Sequence, residues 1–158
     1  MTSPVINFEA ICDAFAARFV AATIGTPTGA AAMRASYSET PKNVPAVPAH
    51  LLEVQTGTVT ANPGQWKHEI DIDGVFLLSK RPGDTARVET QRRLWLPYLL
   101  HAAVDQMKLT YGGATGYSVD KVIPVSWEFT EFVVASDEYD AIRVAWRLYI
   151  TESVTLTP

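Results

Sequence analysis

The sequence predicts a two-layer α+β domain: an antiparallel sheet of about four strands with two helices packed on one face. Two segments carry apolar residues at helical spacing, and four others alternate apolar and polar residues as strands do. Their order, α-β-β-α-β-β, is typical of such layered domains. A chain of 158 residues is long enough for one core. We therefore expect a single domain over residues 1–158.

The first predicted helix runs from a cap at Asn7 through about Thr23. Its apolar residues form one stripe, made of Phe8, Ile11, Cys12, Phe15, Phe19 and Ala22. The Asn7 side chain can accept a hydrogen bond from the first turn, and Gly25 followed by Pro27 is typical of a helix end. We expect this helix to bury its stripe against the sheet.

The segment from residue 26 to residue 50 is predicted to be an extended arm or loop between the first helix and the first strand. It is rich in Ala, Ser, Thr and Pro, and Pro41, Pro45 and Pro48 disfavour helix within it. A connection of this length is unusual in a compact domain unless it has a function of its own. We expect the arm either to be mobile or to contact a neighbouring subunit or another component of an assembly, with these three prolines as candidate interface residues.

Segments 51–60 and 66–79 predict a β-hairpin around the turn sequence ANPG. Facing the apolar sides of the two strands sets Leu52 beside Ile72 and Val54 beside Ile70. The opposite side carries a candidate acidic row, Glu53, Glu69, Asp71 and Asp73. Solvated charges are common on such a strand face, and the row lacks the loop spacing of a calcium site. We therefore predict neither a metal site nor a catalytic carboxylate pair there.

Residues 84–109 predict the central helix. Its apolar positions follow one line, formed by Val88, Trp95, Leu99 and Ala102, continuing to Gln106. Pro97 predicts a kink or break, because its ring collides with the preceding turn. Three arginines on this helix are candidate contacts for an acidic partner: Arg87, Arg92 and Arg93.

Residues 121–134 and 139–154 predict the last two strands. The inward positions are expected to be Ile123, Val125, Trp127, Phe129 and Val133 in the first, and Ile142, Val144, Trp146, Leu148 and Ile150 in the second. Trp127 and Leu148 should therefore share a sheet face. Pro124 requires an edge position or an unpaired N–H. Arg143 and Arg147 face outward and are candidate interface residues.

No motif predicts a reaction. The serines lack a Gly-x-Ser-x-Gly context, and the three histidines are not at metal-ligand spacing. The glycine-rich loop at residues 110–118 follows a helix, without the lysine of a phosphate loop. Cys12 lies in an apolar stripe and is expected to be a buried hydrophobe. No residue pattern in the sequence therefore indicates a catalytic, cofactor or metal site.

Charge and hydropathy exclude two further classes. The formal net charge of −4 argues against a protein that binds nucleic acid by neutralising phosphates. The first ten residues, MTSPVINFEA, contain neither a basic region nor a long apolar run, and no run of 18 apolar residues is present in the sequence. We expect a chain that is not inserted in a membrane and that is found in the cytoplasm.

Three stretches taken together suggest a family: PAVPAHLLEV at residues 45–54, ETQRRLWLPYLLHAAV at residues 89–104, and the final strands at residues 122–154. Their arrangement resembles that of the tail-terminator, or tail-completion, proteins of long-tailed bacteriophages. The resemblance implies a non-enzymatic virion protein, assembled in the host cytoplasm, that forms a homo-oligomeric ring of typically six subunits at the head-proximal end of the tail tube.

As partners, the resemblance implies the tail tube protein, a head-closure or connector protein, and DNA that passes through the channel without specific binding. It implies no membrane, no cofactor and no catalytic residue. In such a ring we expect the acidic row to face the channel, where negative charge prevents DNA from adhering to the wall.

Two alternatives remain open from the sequence. The first is a small-ligand-binding or enzymatic helix-on-sheet domain, with a pocket lined by Trp66, Trp127, Trp146 and His68. The second is another neck or minor tail protein of the same particle.

Overall fold

Five strands form one curled, mixed sheet, described by a computed structural model over residues 6–83, 85–102 and 116–154. The strands are β1 (Ala35–Tyr37), β2 (Ala49–Asn62), β3 (Gln65–Lys80), β4 (Tyr117–Val134) and β5 (Asp137–Ser153). The helices are α1 (Phe8–Ala17), α2 (Ala21–Ile24) and α3 (Thr85–His101). The strand order is β1-β2-β3-β5-β4, so β4 is one edge of the sheet.

The prediction of a two-layer domain with a four-stranded antiparallel sheet is wrong. β1 adds a fifth strand, which runs parallel to β2 and pairs Ala35 with Ala49 and Tyr37 with Leu51. The sheet is also curled into a half-barrel. Register shifts contribute to this shape, because a β-bulge bends its strand and increases the local twist. Such shifts interrupt the β2–β3, β3–β5 and β4–β5 pairings.

The segment predicted to be an arm contributes to the protein's own core. It contains β1, and Met33, Pro48 and His50 within it are buried. Other residues of the segment, Tyr37, Val44 and Val47, cover a small apolar cluster on the second face of the sheet, made of Leu51, Val75, Leu77, Val134, Tyr139 and Ala141. These residues of the segment therefore fold back onto the protein's own core.

α1 begins as predicted and ends earlier. The Asn7 carboxamide oxygen accepts a hydrogen bond from the N–H of Ala10 at 3.0 Å, which caps the helix. Its stripe is buried through Ile11, Cys12 and Phe15. The helix ends at Ala17, and α2 follows as a separate turn before Gly25, whose φ of +80° suits glycine.

α3 carries the predicted apolar line, with Val88, Trp95 and Leu99 buried. The helix continues through Pro97 to His101, so the predicted break is absent, and Pro97 itself is exposed. Gln106, and the loop predicted at residues 110–118 up to residue 115, lie outside the described residues.

The main core lies between one face of the sheet and helices α1 and α3. Trp146 of β5 is fully buried at its centre, where its ring meets those of Phe15 and Phe19 edge-on at 5.5 and 5.8 Å between centroids. Edge-to-face contacts of this kind stabilise aromatic cores. We call the side of the sheet that carries this core the helix face, and the opposite side the outer face.

The strand registers confirm part of the prediction. The hairpin of β2 and β3 is present, but Leu52 pairs with Gly74 and Val54 with Ile72, two residues further along β3 than predicted. In the last hairpin Trp127 pairs with Val144, so it shares the helix face with Leu148, as predicted. The inward placement of Ile123 is wrong: Ile123 pairs with Arg147, on the outer face.

Candidate interaction surfaces

Charged residues from four adjacent strands meet on the outer face. We call this set the charged ladder: Glu53 of β2, Asp71 and Asp73 of β3, Arg143 and Arg147 of β5, and Glu128 of β4. An Arg143 guanidinium N–H donates to Asp73 Oδ2 at 3.0 Å, and Arg147 Nε donates to Asp71 Oδ1 at 2.8 Å. The hydrogen bond that Arg147 donates to Asp71 raises the pKa of Arg147 above its already high value, so this cation stays charged.

Arg143 lies at the centre of the ladder. Besides Asp73, it lies 3.9 Å from Glu53 and 3.6 Å from Glu128. Glu53 is directly opposite Asp73 across β2 and β3, so two like charges of the acidic row face each other. The sequence pattern missed the arginines that neutralise them, because β3 and β5 pair across the intervening α3 and β4. Glu69 completes the predicted acidic row, and it is exposed, opposite Tyr149.

β4 is an edge strand, as Pro124 predicts. Val133, near the end of β4, is exposed at 60%, and three large side chains nearer the middle of the strand are exposed as well: Val125 at 51%, Trp127 at 50% and Phe129 at 38%. The rings of Trp127 and Phe129 lie 5.1 Å apart. We call these three residues the edge patch. The sequence assigned Trp127 and Phe129 to the core because alternation identifies the face of a strand but not what covers it. The register shift between Pro124 and Ser126 takes Val125 out of that alternation.

Among the described residues, the edge of β2 that points away from β3 is unpaired for most of its length. β1 pairs only with Ala49, His50 and Leu51, and no other described strand lies on that side from Leu52 to Asn62. Val54 and Val59 are exposed there at 47% and 52%. Within the described part of the chain the sheet therefore has two open edges, and each carries exposed apolar side chains.

The candidate arginines of α3 have different surroundings. Arg92 donates from Nη2 to the carbonyl of Thr130 at 2.6 Å, and its guanidinium lies 5.5 Å from the centroid of the Phe129 ring, so it ties α3 to β4. Arg93 pairs with Glu89 one turn away on the solvent side. Arg87 is exposed. Of the candidate prolines, Pro45 is exposed, Pro41 is half-buried and Pro48 is buried.

His50 is a buried residue that the sequence did not single out. Its ring stacks on that of Phe19 at 3.7 Å between centroids, and Nδ1 lies 3.5 Å from the Ser36 hydroxyl. Burial lowers the pKa of His50 to about 3, so the imidazole is neutral. The Ser36 hydroxyl donates to the carbonyl of Ala16 at 2.5 Å. The His50 imidazole is buried, and the Ser36 hydroxyl already donates to Ala16. The approach of Ser36 to His50 is therefore a packing contact of the core.

The four residues of the alternative pocket do not converge. Trp146 is fully buried in the core, whereas Trp127 is half-exposed on the edge strand. His68 lies at the other end of the sheet, where its Nε2 is 3.3 Å from the buried carboxylate of Glu152. Glu152 also accepts a hydrogen bond from the N–H of Ile6 at 3.1 Å. These contacts anchor the start of α1 to the end of β5.

The structure and the comparisons with known proteins supply no catalytic assignment. Among the described residues, no group of three or more His, Cys, Asp and Glu side chains is placed to hold a metal ion. The same part of the chain contains no helix long and apolar enough to cross a membrane. No protein-family model matches the sequence, and no curated protein is significantly similar to it.

Proposed function

We propose that this protein is a structural subunit of a bacteriophage tail, a tail terminator that forms a ring on the head-proximal end of the tail tube and joins it to the head-closure complex. The observation that carries the proposal is the pair of open sheet edges on one small domain, β2 on one side and β4 on the other. Exposed strand edges favour pairing with another chain. A subunit with two different unpaired strand edges can form head-to-tail contacts with further copies, as a ring requires.

The sequence layout supports the tail as the place of that ring. The stretches at residues 45–54 and 89–104 and the final strands resemble tail terminators in order and character. In the structure two of these stretches lie close to an open edge: the first leads into β2, and the third begins with β4.

A channel role for the acidic row now depends chiefly on Glu69. Arg147 and Arg143 pair with Asp71 and Asp73, which lowers the local negative charge that could repel DNA. Glu69→Lys changes an exposed carboxylate outside these ion pairs. If the outer face lines the channel, this variant should assemble normally and reduce DNA delivery. Normal delivery by a particle with this substitution would exclude Glu69 from the channel wall.

The decisive experiment removes the protein from the phage that encodes it. With an amber codon in the gene, we expect tails that exceed their normal length and fail to join filled heads, both corrected when the protein is supplied in trans. Electron microscopy measures tail length, and gold labelling of an epitope-tagged copy locates the protein in the particle. Tails of normal length joined to heads would contradict the proposal. Label elsewhere than the neck would assign the protein to another tail component.

A further inference from the structure

We propose that successive copies of this protein join edge to edge, with the open edge of β2 in one copy pairing antiparallel with the open edge of β4 in the next. The inference deepens the proposed ring and rests on it for the choice of a second copy as partner. It assigns the contact to two named strands, which the proposed function does not require.

Strand direction favours this contact. The pairs β2–β3, β3–β5 and β5–β4 are all antiparallel, so the edge strands β2 and β4 run in opposite directions. A second copy related by a simple rotation therefore presents its β2 antiparallel to β4 of the first. The two surfaces are different, so the contact repeats from copy to copy until a ring closes. One kind of contact then covers both open edges.

Both edges contain a regular stretch that can form such a ladder. Residues 56–62 of β2 pair with β3 without a register shift, and residues 126–134 of β4 pair with β5 in the same way. Pro124 and the shift between Pro124 and Ser126 interrupt β4 before this stretch. Beyond Phe129, the carbonyl of Thr130 already accepts from Arg92. The free part of β4 is therefore centred on Trp127 and Phe129.

Side chains on the two edges complement each other. Gly57 and Val59 pair with Ile70 and His68, so they lie on the helix face, as do Trp127 and Phe129. An interior strand glycine offers no side chain to pack, and an aromatic residue across the strand compensates for an edge glycine. Setting Val59 opposite Trp127 places Phe129 opposite Gly57. The Phe129 ring of the edge patch then covers the part of β2 that lacks a side chain.

Two single substitutions test the pairing in the purified full chain. Val59→Lys and Trp127→Lys each put a charge on one edge at a position that is about half-exposed, so folding should be retained. We expect the unmodified protein to self-associate in sedimentation velocity and each variant to be monomeric. An equimolar mixture should give one-to-one dimers, because each variant keeps the edge that the other has lost. The matched control is Val20→Lys, at an exposed valine outside the sheet, which should assemble like the unmodified protein.

A disulfide tests the register. A mixture of Val59→Cys and Trp127→Cys chains should form a cross-linked dimer on mild oxidation, whereas either variant alone should not. Cys12 is the natural cysteine of the chain, and it is buried with its pKa raised to about 11 by burial and by the nearby Asp13 and Glu9. It should therefore not compete in the reaction.

Several results would overturn the edge pairing. A monomeric unmodified protein, unchanged assembly of both lysine variants, or stable dimers of one lysine variant alone would each exclude it. Its failure is distinguishable from that of the proposed function. If phage carrying Val59→Lys have normal tails and the label is found at the neck, the proposed function holds and the edge pairing is excluded. Edge pairing in a protein that is missing from the particle would leave the pairing standing without the function.

Discussion

The imidazole of His50 occupies the space that a side chain on Gly74 would need. A Cβ built on Gly74 would lie 2.8 Å from Nε2 of His50 and 3.3 Å from Nε1 of Trp146. Gly74 lies inside β3, opposite Leu52 and Val144, where glycine normally weakens a strand. The close approach of two aromatic rings explains why glycine stands there.

Gly74→Ala should therefore destabilise the fold. We expect the free energy of unfolding to fall by about 1–3 kcal/mol, the usual cost of overpacking a core, as measured by urea denaturation. Adding His50→Ala to the same chain should relieve part of the clash. The two effects would then be less than additive in a double-mutant cycle. Simple additivity would show that the two residues do not compete for space.

The stability of the protein should depend on pH through His50. Its pKa falls from an ordinary 6.5 to about 3 in the folded state, so below pH 6.5 the unfolded chain binds a proton that the folded chain does not. The stability contributed by the neutral His50 imidazole is fully present above pH 6.5. It is lost as pH falls towards 3, by at most about 1.4 kcal/mol per pH unit. Urea unfolding at pH 7 and pH 5.5 measures it. A His50→Leu chain should lose less stability over that interval, and an identical loss in both chains would contradict the assignment.

The two arginines of the charged ladder should differ in importance. Arg143 faces three carboxylates, and its side chain is 29% exposed, whereas Arg147 and Asp71 are more exposed and pair one to one. Arg143→Met leaves Glu53, Asp73 and Glu128 without their shared cation. We expect it to lower the free energy of unfolding by about 1–2 kcal/mol, and Arg147→Met to have a smaller effect.

The salt dependence of this difference checks its origin. At high salt the difference in stability loss between the two variants should become smaller, because salt screens the repulsion among the three carboxylates. Equal losses for the two variants at low salt would show that Arg143 has no special role. The same contacts predict that lysine at Asp71 or Asp73 disturbs folding, since it would face an arginine. A test of the channel wall should therefore use Glu69 alone.

Arg92 and Arg93 provide a matched pair on one helix. Arg92 bonds the Thr130 carbonyl and lies against Phe129, with 18% of its side chain exposed, whereas Arg93 is 71% exposed beside Glu89. Arg92→Ala should lower the free energy of unfolding by about 1.5–3 kcal/mol, as for hydrogen bonds to charged groups. Arg93→Ala should cost under about 0.5 kcal/mol, as for exposed helix pairs. Thermal unfolding followed by circular dichroism would rank the two variants, and an inverted ranking would exclude a structural role for Arg92.

Local pattern predicted the elements better than their assembly. The Asn7 cap, the buried line of α3, the hairpin after residue 50 and the edge position of β4 all follow from residues close together in the chain. β1 did not, because Ala35–Tyr37 has no alternation of its own, and its pairing with β2 identifies it as a strand. The curl was also missed, since bulges depend on both strands of a pair.

On the candidate surfaces, too, the sequence predicted the pattern within a strand better than the contacts between strands. The acidic row was readable from alternation within β3, but the arginines opposite it belong to β5, which pairs with β3 only after α3 and β4 have intervened. Trp127 was assigned to the correct face and wrongly to the interior. Its neighbour Pro124 marked the edge of the sheet, and an aromatic residue on an edge strand is the signal that could have identified the edge patch.

The bulge in β2 has a consequence for changes in chain length. Val54 pairs with Ile72 and Thr56 pairs with Asp71, and the intervening Gln55 has no partner of its own. Deleting Gln55 would join two half-strands whose alternation already agrees. Deleting Glu53 would either reverse every side chain on one side of the gap or, with loss of the bulge, turn Val54 to the outer face. Single-residue losses in this protein should therefore be tolerated at Gln55 and eliminated by selection a few positions away.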